Sequence, residues 1–408
     1  MRRISDSMKR IKKFGAASAV LALFILGLAV VATPSAQAQT FYVYRSFAGP
    51  PGDGGEPVAG LAQGPDGNFY GTTKYGGDQG LGAVFELSSD GNGGWNYSVL
   101  YNIPVNAYAY PYSITLNAAG DVYITSTGNA GINTGGVVFE LVGGILTHSW
   151  AFTGGTDGCY PTGGLIEDSS GNLYGTTNGC GTSNLGTVFK LDPNLDSPTI
   201  LHNFAGSAKD GASPAYGSLL LSGTSLYGVT TAGGSAGCGV AYSLTIANGK
   251  IKILHSFMGF PADGCAPEGA LAMDAKGNLF GTTYTGGVTG SYNAGTVWKR
   301  TKTGVETFFS LNGGTGGTGA GPTAGVVLNA AGNLYGTASK GGAYGYGTLF
   351  KMDSNLATFT PLHYFTNSSD GATPVDTGGV ILDSTGNLYG TAQYGGTNGF
   401  GVIWGYFP

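Results

Sequence analysis

The stretch Gly171-Asn-Leu-Tyr-Gly-Thr-Thr177 occurs seven times along the chain, intact or altered, and its spacing decides the architecture. The other copies open at Gly67, Gly120, Thr224, Gly277, Gly332 and Gly386. Their aromatic positions, Tyr70, Tyr123, Tyr174, Tyr227, Phe280, Tyr335 and Tyr389, are separated by 53, 51, 53, 53, 55 and 54 residues. A period this regular, too long for one hairpin and rich in strand formers, marks stacked or radial repetition of one supersecondary unit.

Working outward from the motif, each unit reads as four short strands. An apolar run such as Gly164-Leu-Ile-Glu-Asp168 precedes the motif, and a second landmark, Gly-Thr-Val-Phe-Lys-Leu, follows it at Gly186 and, as Gly-Thr-Val-Trp-Lys-Arg, at Gly295. Altered copies of that landmark open at Gly82, Gly136, Gly239, Gly347 and Gly401, and an aromatic holds the fourth position throughout: Phe85, Phe139, Phe189, Tyr242, Trp298, Phe350 and Trp404. The fourth segment ends in Leu-His-x-Phe at Leu201, Leu254 and Leu362. β-branched and aromatic residues separated by Gly, Asp, Asn and Ser clusters are the composition of strands and tight turns. In Asp168-Ser-Ser-Gly-Asn172, Asp274-Ala-Lys-Gly-Asn278 and Asp383-Ser-Thr-Gly-Asn387 the Asp opens a turn by accepting N–H bonds and the Gly closes it.

Four strands in each unit of about fifty residues, repeated seven times, predict an all-β chain: a seven-bladed β-propeller of four-stranded blades. The termini complement one another. Phe41 to Phe47 reads as a fourth strand ahead of the first complete unit, while Gly401 to Phe407 is a third strand lacking its fourth. Pairing the two closes the ring, the N-terminal strand completing the last blade, and leaves no open sheet edge.

The first forty residues differ in kind. Arg2, Arg3, Lys9, Arg10, Lys12 and Lys13 precede an apolar run from Phe14 to Ala32, and Ala36-Gln-Ala38 offers small residues for cleavage. Residues 1–38 therefore read as a signal peptide, with an uncleaved anchor as the alternative, and 39–408 as the propeller domain. Removing residues 1–38 leaves 12 Lys and Arg against 22 Asp and Glu, a net charge of −10. Such a surface is poorly suited to phosphate backbones or anionic lipid, so neither nucleic acid nor, after cleavage, a membrane is an expected partner. In an exported chain the four cysteines are expected as disulfides. Cys159 and Cys180 fall in two loops of one face of the third unit, and Cys238 and Cys265 in the corresponding loops across the fourth and fifth, which favours Cys159–Cys180 and Cys238–Cys265.

Together, GNLYGTT, then GG, GTVFKL, LHxF and Asp-Gly-x-x-Pro resemble the Gloeo/Verruco tandem-repeat (GloVer-repeat) proteins of bacteria across residues 41–408. The resemblance implies an exported protein and brings no activity with it. Family members often carry a C-terminal surface-anchoring segment; this sequence stops at Pro408 without a sorting tail, which makes secretion or periplasmic residence, as a monomer, the expectation.

Functional candidates are few. No GxSxG, HExxH or phosphate loop is present, and no catalytic residue or protein-borne metal site is assigned. His202, His255 and His363 share one repeat position, held elsewhere by Arg45, Tyr101, Trp150 and either Phe309 or Ser310, and read as structural. The constellation to weigh is Asp-Gly-x-x-Pro, at Asp53, Asp157, Asp210, Asp263 and Asp370 and lost at Pro111 and Pro322. Each copy precedes an innermost strand, so its carboxylates are expected around the mouth of the central channel. There they are candidates for a calcium ion or, with Tyr108, Tyr110 and Tyr160, for a hydroxyl-rich sugar; a plain turn is the competing reading. The function expected is a binding module for extracellular polysaccharide or a surface protein at the loop face. A carbohydrate-active hydrolase or lyase using channel-mouth carboxylates is one alternative, which an unequal pair of acids in one pocket would mark, Glu56 and Glu268 being the only loop-face glutamates close to the ring; a structural envelope component is another.

Overall fold

Alternation within the repeated motif builds the core. In the computed structural model, which describes residues 39–408 apart from 93, 105–109, 129–134, 215, 288–292, 315 and 375–378, the seven motif copies form the second strand of seven antiparallel sheets. The leader, residues 1–38, lies outside the described residues. In the strand Leu173–Thr177 every side chain is buried, because each sheet is covered on both faces by neighbouring sheets. Leu173 packs with Tyr123 and Val138 of the preceding blade, and Tyr174, one residue on, packs with Leu226 and Tyr242 of the following one. The period-two geometry of a strand thus hands one motif residue to each interface. Among the described residues seven apolar clusters result, one at each interface between consecutive blades, with a smaller eighth of Ala294, Leu311 and Ala338 beside that of blades five and six.

The central glycine of the motif follows from the landmark aromatic. Gly175 lies directly opposite Phe189 in the ladder, and a Cβ there would sit 2.6 Å from the Phe189 ring. The same pairing joins Gly71 to Phe85, Gly281 to Trp298, Gly336 to Phe350 and Gly390 to Trp404. A ring of 150–250 Å² roughly needs the space that the missing side chain leaves. Blade two departs, setting Ile124 opposite Phe139.

Strand order within each blade is inner, second, third, outer, as in Ile166–Glu167, Leu173–Thr177, Thr187–Leu191 and Thr199–Asn203 of blade three. The last blade takes its outer strand from the N-terminal end: Thr40–Ser46 pairs antiparallel with Val402–Phe407, Phe41 opposite Tyr406 and Val43 opposite Trp404. Blades seven and one then share a core in which Tyr389 and Ile403 meet Phe69 and Phe85, and Thr391 Oγ1 donates to the Ala59 carbonyl at 3.1 Å. The seven-bladed propeller expected from the repeat is therefore present, and closed as the termini predicted. Among the described residues there is no helix.

Both disulfides are as expected. Cys159 and Cys180 join two loops of blade three, with Cα atoms 5.2 Å apart, and Cys238 and Cys265 tie blade four to the loop leading into blade five at 4.6 Å.

Deleting residues 401–408 leaves Thr40–Ser46 without its partner. The melting temperature is expected to fall much further than the few degrees of an ordinary point substitution. A truncated protein melting within about two degrees of the parent contradicts the closure.

Candidate functional site

Every blade is joined to the next by the same loop, and the candidate residues sit in it. The outer strand ends in a buried apolar anchor, Phe47, Ile103, Phe152, Phe204, Phe257, Leu311 or Phe365, whose N–H donates to the glycine that opens the third strand, as Phe204 does to Gly186 at 3.0 Å. The chain then turns inward through Asp-Gly-x-x-Pro. The residue before the proline has positive φ in all seven loops: Glu56, Tyr110, Tyr160, Ser213, Ala266, Gly321 and Thr373. Six of these carry a side chain in a region that disfavours one, and the surroundings hold them there. The N–H of each donates back to the preceding blade, from Glu56 to Phe400 at 2.8 Å, Tyr160 to Gly135 at 2.7 Å and Ser213 to Leu185 at 2.8 Å. The proline that follows lies on the landmark glycine of that same blade. A Cβ on Gly186 would be 2.5 Å from Pro214 Cδ, and φ there is +91°.

The aspartates have partners that sequence reasoning passed over. Asp210 accepts from His202 Nε2 at 3.1 Å and from the Ala205 and Gly211 N–H groups; Asp263 pairs with His255 at 2.9 Å, Asp370 with His363 at 3.0 Å, and Asp53 with Arg45 at 2.7 Å. Each carboxylate thus ties the start of its loop to the outer strand just behind it, within one blade junction. Among the described residues no three His, Cys, Asp or Glu side chains come together to hold a metal ion.

At two of the seven junctions both halves of the pair are lost. Where the aspartate is missing, ahead of Pro111 and Pro322, the outer-strand position holds Tyr101 and Phe309, and the register opposite Val297 assigns the fifth unit's residue as Phe309 rather than Ser310. The junction from blade two to blade three keeps its aspartate but sets Trp150 of blade two in the cation position. Asp157 turns instead to the Thr153 N–H at 2.8 Å, beside the Cys159–Cys180 bridge. The histidines are therefore structural partners of the loop. Their one sequence signal was the co-occurrence of Leu-His-x-Phe with Asp-Gly-x-x-Pro.

What varies on this frame is the side chain presented. Tyr110 and Tyr160, on neighbouring loops, are 37% and 45% exposed, and Tyr75 meets the Tyr110 ring edge-on at 5.7 Å. Tyr108 lies outside the described residues. Glu56 occupies the equivalent position on the loop before Tyr110, with the Gln393 amide 3.5 Å away; Glu268 belongs to the loop of blade five. Tyr112 and Tyr216, which follow the prolines of blades two and four, stack at 5.7 Å across blade three, a contact no sequence spacing announced. Exposed rings beside hydroxyls and a carboxylate are suited to stacking on and hydrogen-bonding a sugar.

Fold and site define a tandem-repeat seven-bladed propeller with a structurally constant, chemically varied loop face. The Gloeobacter/Verrucomicrobia repeat matches residues 26–239 and 214–408, and the chain belongs to that repeat family. Among solved structures it is similar in fold to the extracellular domain of a B. thetaiotaomicron protein described as a one component system, at 12% identity and a TM-score of 0.53 over 89% of this chain and 42% of that one. A chain of the mitotic checkpoint complex matches at 9% identity with a TM-score of 0.58, over 90% of this chain and 91% of that one. The WD40 propeller domain of Doa1 matches at 10% and 0.53, over 89% and 96%. Such identities establish the propeller fold alone. No curated protein matches the sequence.

Burial raises the Asp210 and Asp370 carboxyls, but His202 with the Ala205 and Gly211 N–H groups, and His363 with Thr366, outweigh it and hold both below the ordinary 3.8. A carboxyl lowered on folding stabilises the fold above its ordinary value and ceases to as pH falls through the lowered one. The melting temperature should therefore drop between about pH 5 and about pH 2, and the Asp210→Asn, Asp370→Asn double variant should melt lower at neutral pH with a shallower acid slope. Equal slopes in the two proteins contradict the assignment.

Proposed function

We propose that this protein is an exported binding module whose loop face holds extracellular polysaccharide, with Tyr110 and Tyr160 as adjacent stacking platforms. The observation that carries the reading is the uniform presentation of unlike side chains. Seven loops hold their pre-proline residue in the same left-handed conformation, while its identity runs from Glu56 through Tyr110 and Tyr160 to Ser213, Ala266, Gly321 and Thr373. Backbone strain repeated at one position per blade, with the side chain free to vary, is the arrangement of a display surface. Export is supported by the basic-then-apolar leader and by two disulfides, which persist in oxidising compartments.

Stacking of a sugar on an exposed ring gains on the order of 0.5–1.5 kcal/mol, or about 3- to 10-fold in affinity. In a screen of neutral oligosaccharides, Tyr110→Ala and Tyr160→Ala are each expected to weaken the strongest hit by about that factor, with an unchanged melting temperature. A screen without hits, hits indifferent to both substitutions, or capture of a protein in place of sugar overturns the reading.

A further inference from the structure

At the opposite end of the propeller, where the short hairpin turns lie, one blade interface gathers cations. Between blades four and five a cleft of about 510 Å³ is lined by Lys252, Lys276, Arg300 and Lys302, four of the 12 cations in residues 39–408. The acids nearby are already engaged. Asp274 accepts from the N–H groups of Lys276 and Asn278 and from the Asn278 amide, and Glu306 bonds Arg300 and His255. Among the described residues, the ammonium groups of Lys252, Lys276 and Lys302 form no salt bridge.

Departures from the repeat concentrate here. Arg300 stands opposite Leu279 in the ladder, a place held in other blades by Leu87, Leu141, Leu191, Leu244 and Met352. The next residue is Thr301 where blades three and six have Asp192 and Asp353, and the turn before the motif carries Lys276 where blade three has Ser170 and blade six Ala331. One blade has thus exchanged a core aliphatic residue, a turn carboxylate and a small turn residue for two cations and a hydroxyl. Glu306 answers Arg300, and the Thr301 hydroxyl accepts from the Val305 N–H, but the ammonium groups of Lys252, Lys276 and Lys302 gain no ion-pair partner among the described residues, and like charges around one cleft repel one another until an anion enters.

We propose that this cleft binds an anionic polysaccharide, its carboxylate or sulfate groups set among Lys252, Lys276 and Lys302. The polar lining suits sugar hydroxyls, since Ser222, Ser243 and Thr301 place short hydroxyl side chains between the cations. The length suits a chain: a second cleft of about 450 Å³, reaching the turn at Asn329 of blade six, shares Met273, Asp274, Ala275 and Lys276 with the first. Lys276 stands between the two. A nucleic acid, with its denser charge, meets only this short positive stretch on a surface of net charge −10.

The site shares no residue with the loop-face tyrosines, so the two readings stand or fall separately. The test titrates residues 39–408 with a galacturonate hexamer, a sulfated heparin-derived hexamer, a neutral cello-hexaose, inorganic phosphate and a single-stranded oligonucleotide. Binding of the galacturonate or the sulfated hexamer is expected, weakened about tenfold or more by Lys276→Gln with Lys302→Gln and by raising salt from about 50 to about 300 mM. Lys190→Gln with Lys209→Gln should leave that binding unchanged, and all variants should melt as the parent does. Binding that survives the Lys276, Lys302 double substitution, cello-hexaose binding weakened as much by that substitution, preference for phosphate or the oligonucleotide, or no binding of either acidic hexamer overturns the proposal.

Discussion

The propeller depends on the junction at which each blade grips the one before it. One backbone N–H from the residue ahead of each proline bonds to the preceding blade, and the proline then lies on that blade's landmark glycine. Because the contact falls on a positive-φ glycine at one partner and a positive-φ residue at the other, neither chain can shift without leaving a strained conformation unsupported. Seven repetitions of one geometry fix the angle between blades, and a fixed angle returns the seventh blade to the first. The apolar clusters contribute most of the burial, but they are non-directional. The junction supplies the direction.

Much of this was legible in the chain. The period of the motif gave the blade count, because the Leu and Tyr that set it are the residues divided between neighbouring interfaces. Closure was legible because Phe41 to Phe47 and Gly401 to Phe407 are complementary fractions of one unit. The cysteine pairs were legible because up-and-down strands return their loops to the same face. The meaning of Asp-Gly-x-x-Pro was not. Its aspartate is recognised by a histidine eight residues earlier, across a loop whose path no periodicity specifies, so the fastening of loop to outer strand stayed hidden. The left-handed residues were hidden as well, since six of the seven are not glycine and composition carries no sign of φ.

A repeat also gives a way to separate structure from function without any other sequence. Positions that are alike in every blade serve the fold, and paired losses such as Tyr101 and Phe309 with their absent aspartates show one structural solution replacing another. Unpaired departures are different. Tyr110 and Tyr160 at the loop face, and Lys276 and Lys302 at the hairpin end, break the pattern without a compensating contact in the core. Both groups lie on the rims, where seven similar loops or turns offer a surface whose chemistry can change while the sheets stay fixed.

The most direct test of the junction is amide hydrogen exchange at the seven pre-proline residues, Glu56, Tyr110, Tyr160, Ser213, Ala266, Gly321 and Thr373. If the junctions hold the ring as one cooperative unit, all seven amides exchange as slowly as those of the buried second strands and lose protection together when the closing strand is removed. Exchange at these amides as fast as at exposed loop tips, or protection that differs widely from one junction to the next, contradicts the account.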